Sequence, residues 1–381
     1  MKTLKRILAA TTLLVTLGFA SEANAQVPLE NFFKNPEKAG YQISPDGKYF
    51  SYMAPYENRL NLFVQEVGSD KATRITSETV RDLAGSMWAN GHRILYIKDT
   101  AGDENFQLYG VNVDGTDSKA YTAFPKVRTT IIDPLENIDS LVIIGLNKRN
   151  PQVFDPYRLN LNNGELTQLA ENPGNIQGWM TDHNGKLRVA LAIVDGVNTQ
   201  ILYRETEEQP FRPVLTTNFK ETVSFATFTP DNKMVYALTN IGRDKTALVL
   251  MDPATCEEKE VLYTNDKYDI SGLGYSELKK KLISVSCTGH KGTIRHYFDK
   301  NEEAIRTKLE QKLEGYDINT TSEDKSENIR IIYAGGDRTY GTYYTYNVKE
   351  DKLTKIADLA PWIKEEDWSR CTPSPIPAGM V

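Results

Sequence analysis

A turn followed by an apolar strand recurs seven times along this chain, and few folds satisfy such a repeat. The turn residues are Gly47 in SPDGKYFSYM, Gly91 in ANGHRILYI, Asn137 in LENIDSLVII, Gly185 in HNGKLRVAL, Asn232 in PDNKMVYAL, Lys279 in SELKKKLISV and Glu327 in SENIRIIY. Successive turns therefore lie 44, 46, 48, 47, 47 and 48 residues apart. A second strand follows each: NLFVQEV, QLYGVNV, DPYRLNL, TQILYRE, TALVLMD, IRHYFDK and YYTYNV. Most units then reach another turn and a short strand, as in NNGELTQLA and KEDKLTKIA. Turn residues at fixed offsets between short alternating runs are hairpin signals.

One such unit in about 40–50 residues matches a four-stranded propeller blade. A lone blade cannot cover its own apolar faces; stacking blades around an axis buries both. The expected fold is all-β, a seven-bladed β-propeller of four-stranded blades. One short helix is expected near residues 301–314, where Ile305, Leu309 and Leu313 form a stripe in NEEAIRTKLEQKLEG. Charged residues at 25% and hydrophobic ones at 40% fit a folded chain.

The first residues, MKTLKRILAATTLLVTLGFASEANAQ, have the form of a secretory signal peptide. Lys2, Lys5 and Arg6 precede an apolar or small run from Ile7 to Ala20, and Ala23-Asn24-Ala25 fits a cleavage site before Gln26. The run is too short to span a bilayer, which takes about 20 apolar residues. The expected product is exported, periplasmic or secreted, with no membrane span. Removing the segment's net +2 (three bases less Glu22) from −6 leaves −8, which favours neither nucleic acid nor an anionic membrane. Cys256, Cys287 and Cys371 are too few for a disulfide framework and show no metal-ligand spacing; a Cys256–Cys287 bridge is possible, against buried free thiols.

The ordered set GDENFQLY, FDPYRLNLNNGEL and GDRTYGTYYTYN resembles the N-terminal propeller of secreted serine peptidases of the prolyl oligopeptidase family, in their dipeptidyl or acylaminoacyl peptidase-like branch. The resemblance spans about residues 28 to 366. It implies a propeller that does no chemistry, caps an α/β-hydrolase domain, limits access to small peptides and offers substrate contacts. No G-x-S-x-G nucleophile elbow occurs in this sequence, and His92, His183, His290 and His296 all fall in or beside propeller turns and strands. No catalytic residue, metal site or cofactor is expected, and the chain as it stands should hydrolyse nothing. The expected partner is a peptide substrate or a hydrolase domain.

Candidate substrate contacts are Glu104 and Asn105, beside Asp103 in a loop of the second unit, and Arg149 in NKRNP. A carboxylate there could hold a peptide's α-amino end. The bland roles are loop organisation for the carboxylates and an inter-blade salt bridge for Arg149. Tyr340, Tyr343, Tyr344 and Tyr346 read as strand packing, and Lys364-Glu365-Glu366-Asp367 as a solvated linker.

The terminal DWSRCTPSPIPAGMV fits neither strand nor helix. Read one base out of register, its codons can encode L-(V/E)-x-MHPVTYTSRDG, which the resemblance implies as the entry to a hydrolase domain. The tail is thus expected to be frameshifted coding sequence from about Glu366 to Trp368; the other reading is a native Pro-rich terminus. The expected organisation is a signal peptide over 1–25, a lead-in over 26–40, the propeller over 41–360, and a linker with the frameshifted tail over 361–381. Two functions stay open: the non-catalytic part of a truncated peptidase, or a stand-alone TolB-like propeller that binds a peptide or protein.

Overall fold

The turns found in the sequence come out as the link between the first and second strands of seven antiparallel sheets. The structure, a computed structural model, describes residues 27–290, 292–369 and 371. The export segment with its Ala25–Gln26 junction, and most of the tail, lie outside the described residues. Blade 1, for example, runs Ala39–Ile43, Tyr49–Tyr56, Arg59–Glu66 and Ala72–Arg74. Six sheets have four consecutive strands in this order. The sixth has three, and helix α2 (Lys300–Lys312) follows the third where the other blades have a fourth strand; α1 (Leu29–Phe33) precedes the first strand. The seven-bladed propeller and its inserted helix are as the sequence predicts. No helix among the described residues is long and apolar enough to cross a membrane.

The turns share a local device. Gly47, Gly185, Asn232 and Glu327 adopt positive φ of 74°, 70°, 57° and 54°. Three residues earlier stands a buried Ser44, Asp182, Thr229 or Asp324. Each points a side-chain oxygen back into its turn: Ser44 Oγ accepts from the Lys48 and Tyr49 amides at 3.0 and 2.9 Å, and Asp324 Oδ1 from those of Asn328 and Ile329 at 2.8 Å. Short polar side chains suit this because they bond neighbouring backbone groups. Elsewhere the left-handed residue shifts: Leu135 takes it in blade 3 and Lys280, not Lys279, in blade 6.

The core is distributed among the seams between blades. Leu62 and Val64 pack on Ile94 and Val111, and Leu95 and Leu108 on Val142 and Ile144. Val189 and Tyr203 pack on Val235 and Val249, and Leu248 on Ile270, Val285 and Cys287. The seams between blades 3 and 4 and between blades 6 and 7 instead hold ion pairs, Arg158–Glu207 and Arg330–Glu302, each at 2.7 Å. Cys256 and Cys287 are free thiols in different blades. Burial, with the nearby Asp252 carboxylate, pushes the Cys256 thiol up to about 11.

Blade 7 meets blade 1 without a shared strand. Ile331 packs among Tyr41, Ile43, Phe50 and Tyr52. The backbone adds two clips: Ile43 N–H to Ser322 Oγ at 3.1 Å and Lys325 N–H to Pro45 O at 2.8 Å. Helix α2 sits on blade 7, with Ile305, Leu309 and Leu313 on Ile318, Ile332 and Tyr346. Asp299 caps it by accepting from the Asn301 and Glu302 amides.

Two substitutions test this account by urea denaturation. Ser44→Ala strands the Tyr49 amide, leaves the Lys48 amide with Asp46 Oδ1 alone, and should cost about 1–3 kcal/mol. Ile331→Ala opens a cavity in the closing seam and should cost about 2–5 kcal/mol. Equal unfolding midpoints for wild type and Ile331→Ala would contradict closure by side-chain packing.

Candidate functional site

With four antiparallel passes per blade, the first strand starts and the last strand ends at the same mouth of the central tunnel. The loops between second and third strands open there too. At this rim α1 meets the segment that follows the last strand, Lys352–Asp358. Trp362 Nε1 donates to Asn31 O at 2.9 Å, and Lys34 Nζ lies 4.2 Å from the Trp362 ring centroid. Phe32 and Tyr340 each meet the Trp368 ring edge-on, at 5.6 and 5.4 Å between centroids. The Tyr340 hydroxyl donates to Phe32 O. Of the four tyrosines read as strand packing, Tyr343, Tyr344 and Tyr346 do pack in seam clusters. Tyr340 belongs to this rim clasp.

Glu104, Asn105 and Arg149 all fall at this rim, in neighbouring blades. Arg149 is committed to structure. Its Nε and Nη2 grip the Asp155 carboxylate at 2.9 and 3.0 Å, and Nη2 also donates to Asn172 O at 2.7 Å. Asp155 is fully buried and also accepts from the Asn172 amide, so Arg149 ties a hairpin of blade 3 to the crossover into blade 4.

The acidic loop divides its labour. Asp103 accepts from the Thr100 and Asn105 amides at 3.2 and 3.1 Å and from Asn105 Nδ2 at 3.1 Å. These bonds, led by the Asn105 side chain, hold the Asp103 carboxyl below its ordinary value. Asp103 is therefore the loop organiser, and the Asn105 amide is spent on it. Arg81 Nε pins the loop from outside through buried Asp99 at 3.2 Å, a role with no sequence signal. Glu104 has φ of 57°, its amide donates to Asp99 Oδ2 at 3.3 Å, and it is exposed. Its carboxylate joins no ion pair or hydrogen bond among the described residues. Of the three candidates, only Glu104 offers an uncommitted group.

The tunnel holds a cavity of about 730 Å³ and an adjoining one of about 330 Å³, which share Pro134, Glu136, Asn137 and Glu277. Its far mouth, where the first-to-second-strand turns lie, is crossed by polar side chains from blades that are not neighbours. Lys325 Nζ reaches Asp139 Oδ1 at 2.6 Å, from blade 7 to blade 3. Asn137 Nδ2 donates to Glu277 Oε2 at 3.2 Å, and His183 Nδ1 lies 3.3 Å from that oxygen. Glu136 is exposed to the solvent of the tunnel, yet desolvation by the surrounding walls, with Glu277 and Asp133 nearby, raises its carboxyl above the ordinary value. Desolvation by the same walls also raises the exposed Glu323 carboxyl and pushes the Tyr275 phenol up to about 12. This mouth is closed to anything large and its lining is acidic.

No family model matches the chain. It is 28% identical over 341 residues to dipeptidyl aminopeptidase BIII of Pseudoxanthomonas mexicana, a match that covers 86% of this chain and 48% of that protein. It is 26% identical over 355 residues to dipeptidyl peptidase family member 6 of Caenorhabditis elegans, covering 87% and 47%. The chain thus spans about half the length of the curated relatives it matches. Prolyl oligopeptidase B from Galerina marginata shares the fold, with a TM-score of 0.57 at 10% identity over 88% of this chain and 53% of that one. The chain is homologous to these dipeptidyl peptidases, and its seven-bladed propeller is a fold that prolyl oligopeptidase B shares.

Proposed function

We propose that this chain is the non-catalytic, substrate-gating portion of an exported serine peptidase of the prolyl oligopeptidase family, and that an α/β-hydrolase domain docks on its terminus-side rim. The observation that carries this is the placement of exposed apolar side chains. Leu29, Phe33, Val80, Val197 and Phe219 are all exposed at that rim, Phe33 and Phe219 by 77% and 76%. The far rim presents Val67, Leu278 and Phe298. Apolar surface gathered at one face favours a docked partner.

The far-mouth pairs direct a peptide to approach from the docking side, where Glu104 waits. A free carboxylate suits the α-ammonium end of a peptide, which accords with the dipeptidyl names of the relatives. The reaction would be acyl transfer to a serine of the hydrolase domain, followed by hydrolysis. Export through residues 1–25 and a frameshift near Glu366 to Trp368 are parts of the same proposal.

The gene itself gives the first test. Sequencing beyond the Val381 codon should show an open frame, one base out of register, that encodes a G-x-S-x-G elbow. If none follows, the stand-alone binding propeller is the better reading. In the repaired full-length form, Glu104→Gln should raise KM for a dipeptidyl p-nitroanilide with a free amino end by about 10–100-fold, leaving kcat nearly unchanged. An N-acetylated substrate should not feel the change; an equal loss on both substrates would remove Glu104 from the site.

The acidic tunnel has its own pH signature. The Glu136 carboxyl is raised in the folded state, so its stabilising contribution is complete below the ordinary value of 4.5 and is lost as pH rises through the folded value. Glu136→Gln should therefore melt higher than wild type near neutral pH, and the gap should close towards pH 4. A gap that stays constant with pH would contradict a raised Glu136 carboxyl.

A further inference from the structure

The sixth blade ends on a strand to which no fourth strand is paired among the described residues. Gly292–Tyr297 pairs with the second strand of that blade in unbroken register, from Ser284↔Tyr297 to Gly289↔Gly292. No fourth strand follows. Helix α2 lies on blade 7 instead, and Gly292, Thr293, Ile294 and His296 stay exposed.

Propellers have other outer edges, but here those are blunted in ways that prevent a chain from adding to them. Ala72–Arg74, Lys119–Ala120 and Leu166–Gln168 are too short. Arg212–Thr217 contains Pro213 and a register shift. Glu258–Tyr263 has two register shifts and begins Glu-Lys-Glu. Lys352–Asp358 has a shift and carries Lys352 and Lys355. Gly292–Tyr297 has no proline, no shift and a 43% exposed Ile294.

The two faces of this edge differ. Ile294 and His296 stand opposite Cys287 and Val285, which point into the seam with blade 5. On that face Tyr263 stacks on His296 at 4.5 Å, and Phe298 meets His296 edge-on at 5.2 Å. Exposed Val261 of blade 5 lies on the same strand as Tyr263. The opposite face carries Arg295. Between His290 and Phe298 the sequence has two bases, Lys291 and Arg295, and no acid, in a chain of net charge −6. The nearest acid along the chain, Asp299, is taken by Lys281 at 2.6 Å.

We propose that this edge accepts a fourth strand in trans. The strand is an extended segment of a partner protein whose side chains alternate between apolar ones, set against Ile294 and His296, and acidic ones, set against Arg295. Main-chain hydrogen bonds supply affinity in such strand addition, and alternate side chains supply specificity. A second copy of this chain would bring the same basic strand to the edge and oppose like charges. The proposal concerns a different face from the docking rim and holds whether or not a hydrolase domain follows.

The probe is a fluorescein-labelled octapeptide of alternating valine and glutamate, titrated with the full chain and read by fluorescence anisotropy. Two versions, N-methylated at one or the other alternate set of amides, test the main-chain bonds without altering the protein. Saturable binding is expected, weakened about tenfold or more by one of the two methylated sets and by Ile294→Lys. Arg295→Glu should turn the preference towards a lysine–valine octapeptide. Both methylated peptides binding like the parent, or no binding of the parent, would overturn the proposal. So would a dimer in sedimentation that Ile294→Lys dissolves while the peptide fails to bind, because the occupant would then be a second copy. Ile294 is exposed, and an unchanged melting temperature certifies that its variant is folded.

Discussion

Everything in this molecule depends on closing a ring of blades that cannot stand alone. Each sheet has apolar side chains on both faces, and only a neighbour can cover them. The last seam must then hold with no strand crossing it. Here the closing seam is aromatic and tight: Tyr41 stacks on Tyr52 at 4.8 Å between ring centroids, and Ile331 is fully buried against them. Gly47 lets the turn approach blade 7, since a Cβ there would lie 3.2 Å from Asp324 Oδ2. The clasp of α1 with Trp362 and Trp368 spans the same pair of blades at the terminus rim.

Strand parity follows from the ring and decides what lies at each mouth. An even number of passes per blade returns the chain to the terminus rim before each new blade begins. Three strands in blade 6 would leave the chain at the wrong mouth. Helix α2 supplies the return pass. Its thirteen residues rise about 20 Å, close to the length of a six-residue strand. A helix can stand in for a strand in length and direction, but it cannot hydrogen-bond to the sheet. Parity is thus preserved while one sheet edge is left open.

The fold was legible because its turns are chemically explicit. A Ser, Thr or Asp three residues before a Gly or Asn announces the link at Gly47, Gly185 and Asn232, and the apolar second strand follows at once. The first strands gave little signal. GSMWAN and IQGWMT line the tunnel and are only half-buried, so they lack clean alternation. Arg149 was ambiguous because its partner Asp155 lies across a hairpin whose geometry the sequence does not state. The pairs at the far mouth join residues 140 and 186 positions apart, and no local pattern can carry such information. Glu104 was named among its neighbours, but only the bonds made by Asp103 and Asn105 show that it alone is uncommitted.

The seam between blades 6 and 7 explains why the helix stays on blade 7. Arg330 grips Glu302 through two bonds, at 2.7 and 3.0 Å, and Lys279 reaches the same carboxylate at 2.7 Å. Burial works against the Glu302 charge, yet these two cations still hold its carboxyl below the ordinary value. A buried ion pair gives little net stability once desolvation is counted, but breaking one leaves a costly unpaired charge. Its effect is directional: Glu302 lies in the first turn of α2, and Arg330 and Lys279 lie on the second strand of blade 7 and the turn of blade 6. The start of α2 is therefore fixed at the seam, and Leu309 and Leu313 fix the rest against blade 7. The open edge thus follows from where the helix's charged and apolar anchors sit.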